Sequence, residues 1–210
     1  MGRHIGPSCR LCRREGMKLF LKGVKCETAK CQVERRQRSL APGMHRWHRA
    51  RASEYGTRLR EKQKVKRYYG LLEGQFMRYF DKAERLKGNT GENLLQLLER
   101  RLDNVVYKLN FAPSRKAARQ LISHGHIYVN GHKVDASNYS IRIGDKVTVK
   151  NSEKSIKQVK QQLESNPNFT TQAWLQLNRE KPEATIVALP SRDDVQIPVE
   201  EQLVVEFCSR

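Results

Sequence analysis

The 210-residue chain reads as an α+β protein: a mainly helical N-terminal domain that includes a cysteine-ligated metal segment, followed by a small helix-helix-sheet module. Three observations predict this. Apolar residues recur at steps of three and four through two long stretches, the spacing of helices that bury one face. An Asn-Gly pair between two short runs of strand-forming residues marks a hairpin. Cys9, Cys12, Cys26 and Cys31 form the pattern Cys-x2-Cys-x13-Cys-x4-Cys, two close pairs around a loop, as a tetrahedral thiolate site requires.

The cysteine segment comes first. Disulfides in a secreted chain, or small buried apolar residues, are the competing readings of these thiols. The start, Met1 to Pro7, has no apolar stretch of signal-peptide length, and Gly6 occupies the Ser/Thr position of a myristoylation motif, so a reducing cytoplasmic compartment is expected. Structural Zn2+ held by the four cysteines is the expectation, with an iron-sulfur cluster or a redox pair as alternatives. Cys208 has no nearby thiol partner in the sequence and is expected to be an ordinary strand residue.

Charge sets the partner class. There are 41 lysines and arginines against 22 carboxylates, a formal net charge of +19 and a pI of about 10.0, so the partner should be a polyanion. Apolar residues make up only 38% of the chain, none in a run approaching the roughly 18 that span a membrane, and no long helix pairs a basic face with a large apolar one. No membrane partner, small-molecule substrate or homo-oligomer is expected.

Much of the charge lies between Arg35 and Arg67, including Arg46, Arg49, Arg58, Arg60, Lys62, Lys64, Lys66 and Arg67. Ser53-Glu54 offers an N-cap and a first-turn carboxylate, and Leu59, Val65, Tyr69, Leu72, Phe76 and Phe80 line a helical stripe, so an ordered basic helix is expected rather than a solvated tail. Its outer side would present cations to phosphates. Trp47, Tyr55 and Tyr68 are available to pack or stack on bases, core packing being the expected role of each.

Gly88-Asn89-Thr90-Gly91 reads as a break. Leu94, Leu95, Leu98, Leu102, Val105, Val106 and Leu109 then predict a helix from about Asn93 to Lys108. Ser114 caps a shorter helix whose buried stripe is Ala117, Ala118, Leu121 and Ile122, with Arg115, Lys116, Arg119 and Gln120 pointing elsewhere and Gly125 at its left-handed exit. Ile127 to Val129, the turn Asn130-Gly131, Lys133-Val134, Ser140 to Ile143 and Lys146 to Val149 follow as strands. His124, Asn130 and Lys133 join the four helix residues as candidate RNA contacts beside the turn.

Here a resemblance becomes specific. Arg101-Leu102-Asp103-Asn104-Val105-Val106-Tyr107, the run Ser114 to Gly125, and Ile127-Tyr128-Val129-Asn130-Gly131 resemble the RNA-binding module named after ribosomal protein S-four. Upstream, Arg60 to Gly70 and Leu86 to Leu95 resemble the bacterial small-subunit ribosomal protein S-four family itself, and the cysteine quartet is similar to its zinc-binding subset. The resemblance implies a primary assembly protein of the small ribosomal subunit, in the cytoplasmic ribosome. It implies binding to a multi-helix junction in the 5′ domain of small-subunit rRNA, contact with small-subunit ribosomal protein five and other ribosomal proteins, a place beside the path by which messenger enters, and an influence on decoding accuracy. Folded RNA displays shape, phosphates and 2′-hydroxyls, which suits two cation-bearing surfaces on rigid elements.

Domain boundaries are expected at 1–99, with the metal segment at 1–45, at 100–165 for the module, and at 166–210 for a C-terminal segment that the resemblance implies packs back on the N-terminal domain. In that tail Lys150 to Leu163 is helix-compatible, and Thr171 to Leu177, Ala184 to Leu189 and Leu203 to Phe207 look extended. Asp193, Asp194, Glu200, Glu201 and Glu206 suit a solvated or protein-facing surface better than a catalytic pair, which would also need a pocket. An RNA-modifying enzyme is one alternative, since such enzymes can carry the same module. Yet Arg101-Leu102-Asp103 lacks the threonine and glycine of the related catalytic motif, no separate catalytic domain has room, and Asp103 suits a helix-surface residue pairing with an arginine. A free-standing RNA-binding regulator leaves the upstream runs unexplained. No enzyme is expected.

Overall fold

A computed structural model of the chain describes residues 4–35, 40–44, 53–166, 169–178 and 181–209. Among these are eight α-helices and a five-stranded antiparallel sheet, so the fold class is α+β. The chain divides into two compact units, 1–94 with 197–210, and 95–196.

In the first unit, α1 (Ser8–Glu15) ends at Gly16, whose φ of 70° provides the left-handed exit, and a 3-10 turn covers Gly23–Cys26. The helix α2 (Glu54–Tyr68) starts at Ser53, whose hydroxyl accepts a hydrogen bond from the Gly56 N–H at 3.1 Å. The predicted stripe does not continue as one helix. Gly70, at φ 64°, turns the chain, and α3 (Glu73–Glu84) is a separate helix that buries Phe76, Phe80 and Ala83. Leu72 is the exposed residue before it rather than part of the buried stripe.

The helix α8 (Glu201–Cys208) packs along α2, with the Phe207 ring 5.3 Å from that of Tyr55 and 4.7 Å below the Lys62 ammonium. Leu203 to Phe207 is therefore helical, not extended: Val204 is buried while Glu206 reaches Arg58, a division of faces that the short apolar run concealed. Cys208 is likewise a helix residue rather than a strand residue. Burial pushes its thiol up to about 11, against the pull of Lys62.

The expected helix from Asn93 to Lys108 is two helices, α4 (Thr90–Glu99), within which the second unit begins, and α5 (Leu102–Lys108). The break is built by tertiary hydrogen bonds. Arg101 is extended and bridges to Ser140, the Leu102 N–H donates to Tyr139, and the Ile141 N–H donates to the Arg100 carbonyl at 3.0 Å. The Asn104 amide donates to the Glu99 carbonyl at 3.0 Å, closing the end of α4. Pairing with the 137–141 segment thus overrides helix propensity.

The helix α6 (Arg115–Ser123) carries the Ser114 cap, accepting from the Ala117 N–H, and exits through Gly125 at φ 73°. Strands β1 (Ile127–Val129) and β2 (His132–Lys133) meet across Asn130 and Gly131, both with positive φ as a two-residue turn demands. Then come β3 (Lys146–Val149), α7 (Glu153–Ser165), β4 (Leu175–Asn178) and β5 (Glu183–Ile186), in sheet order β2-β1-β3-β5-β4. The core lies between one face of the sheet and the helices: Ile127, Val129, Val147, Val149, Leu175, Ala184 and Ile186 meet Leu102, Val105, Val106, Leu121 and Ile122.

This sheet corrects the expected tail. The segment expected to pack back from 166 onward instead contributes β4 and β5 to the second unit, since β5 pairs with β3 through Val147↔Ala184. Only from Ile197 onward does the chain belong with the first unit.

Candidate nucleic-acid interface and cysteine segment

The predicted basic helix is not a free cationic face. Each described cation singled out on α2 meets a carboxylate. Arg58 pairs with Glu54 at 3.0 Å and Glu206 at 2.7 Å, Arg60 with Glu15 at 3.3 Å, Lys66 with Glu73 at 2.7 Å, Arg67 with Glu15, Lys62 with Glu73, and Lys64 with Glu61. Six cations thus face five carboxylates. Glu15, Glu73 and Glu206 lie on α1, α3 and α8, so the charges of α2 clamp the helices around it. Burial raises Glu15 above the ordinary carboxylate range although Arg67 and Arg60 pull it down, and burial lowers Arg67 despite Glu15; desolvation exceeds the attraction in this pair. Tyr68 is buried, whereas Tyr55 is exposed against Phe207. Arg46, Arg49 and Trp47 lie outside the described residues.

On the module, α6 sorts its residues differently from the expectation. Arg115 does not point away from the core: it is 5% exposed, its Nε donates to Asn104 at 2.8 Å, and its guanidinium lies 4.5 Å from the Tyr107 ring centre. Arg119 donates through Nε to Asp103 at 2.6 Å, and its side chain is 16% exposed. Lys116, Gln120 and His124, four residues apart, form the exposed stripe. Lys133 is exposed and extends across Gly125, setting its ammonium at the C-terminal end of α6, where the helix dipole favours a cation. Asn130 is exposed, but its side chain is engaged: the amide donates to Asp145 at 2.8 Å and the oxygen accepts the Lys146 N–H at 2.9 Å.

Asp103 organises this group. It is 1% exposed, not a helix-surface residue, and accepts Nε and a terminal nitrogen of Arg101 at 3.1 Å each besides the bond from Arg119. Beside it, the Asn104 amide donates to the Glu99 carboxylate at 2.6 Å. Lys108 stands 3.7 Å from that carboxylate, its pKa lowered by burial, and donates to the Asp194 carbonyl. The helical pattern gave no signal for this network: Asp103 and Asn104 fall off the apolar stripe of Leu102, Val105 and Val106, and tertiary contacts alone bury them.

The four cysteines sit on α1, on the 3-10 turn and just beyond it. Cys12, Cys26 and Cys31 are buried and Cys9 is half-buried. Cys26 Sγ accepts the Lys22 N–H at 3.4 Å, and Cys12 accepts a backbone hydrogen bond from Leu19. Burial raises the pKa of Cys12 and Cys26, and the neighbouring cysteines raise both further, so the sulfurs lie within electrostatic reach of one another. As placed, no three metal-ligating side chains among the described residues converge on one ion position. The donor set is that of a thiolate site, buried and supplied with N–H donors, but the side chains are not closed around a centre.

A sequence profile described as the ribosomal protein S4/S9 N-terminal domain matches residues 3–99, and one described as the S4 domain matches residues 100–147. The small ribosomal subunit protein uS4 of Halothermothrix orenii is 55% identical over 210 residues, covering all of both chains. Those of Thermoanaerobacter sp. strain X514 and Desulfitobacterium hafniense strain DCB-2 are each 54% identical, again end to end. The chain belongs to the uS4 family.

The uS4 profiles meet at Glu99 and Arg100, where α4 gives way to a turn at Arg100 and the extended Arg101 that bridges to Ser140. The S4-domain profile covers α5, α6, the hairpin and the start of β3, whereas the rest of the second unit, with β4 and β5, lies beyond it. The family is that of a ribosomal structural protein, and an RNA-modifying enzyme is not favoured: the relatives matched are named as small ribosomal subunit proteins, and both profiles are ribosomal S4 ones. No described helix is long and apolar enough to cross a membrane.

Proposed function

We propose that the chain is a structural constituent of the small ribosomal subunit in the cytoplasm, and that it binds rRNA directly. It would act as a primary binder that nucleates assembly of the subunit body at a multi-helix junction of the 5′ domain. Contact with small-subunit ribosomal protein five and a contribution to accuracy beside the messenger path belong to the same reading. The observation that carries it is the full-length identity to proteins named small ribosomal subunit protein uS4, supported by a net charge of +19. On the module, Lys116, Gln120, His124 and Lys133 are the exposed groups suited to phosphate and 2′-hydroxyl contact, with Arg119 held behind them. Footprinting of the purified protein on intact small-subunit rRNA tests this. Protection clustered at one junction, surviving competition by single-stranded RNA of equal length, is expected; equal affinity for the two RNAs would overturn specific recognition.

The cysteine segment is proposed to hold one structural Zn2+ through Cys9, Cys12, Cys26 and Cys31, with the N–H bonds to sulfur supporting the thiolate form. Four charged sulfurs packed together repel, and a divalent cation would offset that repulsion and tie α1 to the following loop. Elemental analysis of protein purified without added metal should find about one zinc per chain. Substantially less, with all four thiols freely reactive, would overturn it.

A further inference from the structure

We propose that the outer face of α3, formed by Arg78, Lys82 and the C-cap Arg85 and extended by Lys87, is a phosphate-binding surface of the first unit. The α2 cations serve instead as internal ties. This rests on the RNA-binding reading above and assigns a site within it.

The two helices use their charges in opposite ways. Every cation singled out on α2 faces a carboxylate, as described above. On α3 and just past its C-terminal end, Arg78, Lys82, the C-cap Arg85 and Lys87 are exposed, and none joins an ion pair among the described residues. A cation already neutralised in the folded protein releases fewer counterions when a phosphate arrives, because the phosphate must displace a carboxylate that is tethered nearby. A cation standing in water has no such competitor.

Geometry makes the α3 set a surface rather than a scatter. With 3.6 residues per turn, Phe76, Phe80 and Ala83 share one side of the helix, and all three are at most 2% exposed. Arg78, Lys82 and Arg85, at i, i+4 and i+7, fall about 180 to 240° around from them, directly opposite the buried side. They span about 10 Å along the axis, a length that covers more than one backbone phosphate. Asp81 borders the stripe, three residues after Arg78 and four before Arg85, and Glu84 lies farther round, so three cations against one neighbouring carboxylate leave the stripe with a net positive charge. The helix beneath it is anchored: its Phe rings are in the core, and Glu73 in its first turn holds both Lys62 and Lys66. Two of the three positions are arginine, whose planar fork matches phosphate.

The test is binding of the full-length protein to intact small-subunit rRNA across a range of salt concentrations. The triple variant Arg78→Ala, Lys82→Ala, Arg85→Ala should lower the slope of log affinity against log salt by about 2 to 3, one phosphate contact for each lost cation. Lys62→Ala with Lys66→Ala should leave that slope nearly unchanged while lowering the thermal midpoint. Alanine keeps helix propensity, and Arg78→Gln, Lys82→Gln, Arg85→Gln serves as a second set should the first lose helicity by circular dichroism. An unchanged slope in a folded triple variant, with wild-type binding intact, overturns the site and leaves the RNA reading standing. Wild-type protein that fails to bind the rRNA overturns the reading and the site with it. If the triple variant binds naked rRNA normally yet fails to enter small subunits, the stripe meets an acidic protein surface, and the proposal is wrong.

Discussion

Replacing Asp103 with alanine tests whether the buried charge network holds the module together. The carboxylate is 1% exposed and accepts three hydrogen bonds from two arginines, at 3.1, 3.1 and 2.6 Å. Arg101 is itself 2% exposed, so removing this carboxylate takes the counter-charge from a buried guanidinium. Breaking a buried pair in this way costs about 3 to 5 kcal/mol, whereas Arg119, with a side chain 16% exposed, can turn toward water and should add only about 1 kcal/mol. Against a domain stability of about 5 to 15 kcal/mol, the loss is a third or more for most values in that range. Urea unfolding followed by tryptophan fluorescence measures it. Trp174 is buried in the second unit, and a Trp47→Phe background makes it the sole reporter, since the chain has two tryptophans. Arg101→Ala and the double variant complete a cycle whose coupling should exceed about 1 kcal/mol. A loss below about 1 kcal/mol for Asp103→Ala, or strict additivity with Arg101→Ala, would refute the claim that this pair organises the module.

Three further outcomes are expected. Arg115→Ala should destabilise the second unit by about 2 kcal/mol or more, while Lys116→Ala leaves stability within about 0.5 kcal/mol and weakens RNA binding; the reverse pattern in urea melts and binding assays would return Arg115 to the RNA surface. Glu73 lies below the ordinary carboxylate value of 4.5: burial alone would raise it, but hydrogen bonds from Lys62 and Lys66 more than offset that. A depressed carboxylate stabilises the fold above its unfolded pKa and loses that contribution as pH falls, so Glu73→Gln should cost up to about 1 kcal/mol at pH 7, the side chain being 48% exposed, and progressively less below pH 4.5. Gly125→Ala should cost more than about 1 kcal/mol, because φ is +73° and the new Cβ would run into Lys133 Cε; Lys133→Ala should relieve only the clash, so a full rescue in a thermal melt would show the backbone contribution to be negligible.

The caps at Ser53 and Ser114, the exit at Gly125 and the Asn130-Gly131 turn were readable because each depends on local backbone geometry that few residues satisfy. The break at Arg100-Arg101 was not, because a pattern of leucines and valines at helical spacing is indifferent to a distant segment that competes for the backbone N–H groups. Short apolar runs misled for a related reason: Leu203 to Phe207 fits a strand or one and a half helical turns equally well, and only packing along α2 decides.

By itself the sequence determined the class of partner, through a formal charge of +19 whose sign folding does not change, and the α+β order of elements, through periodicities of the chain. Its motifs also carried the resemblance to the uS4 family. Tertiary structure decided which cations remain available to that partner. Charge is additive along a chain, but its availability depends on what packs beside it. Glu15, Glu73 and Glu206 reach α2 from three other helices, and Asn104 draws Arg115 inward, so the most basic stretch of sequence within the described residues became scaffold while exposed α3 cations stayed in water.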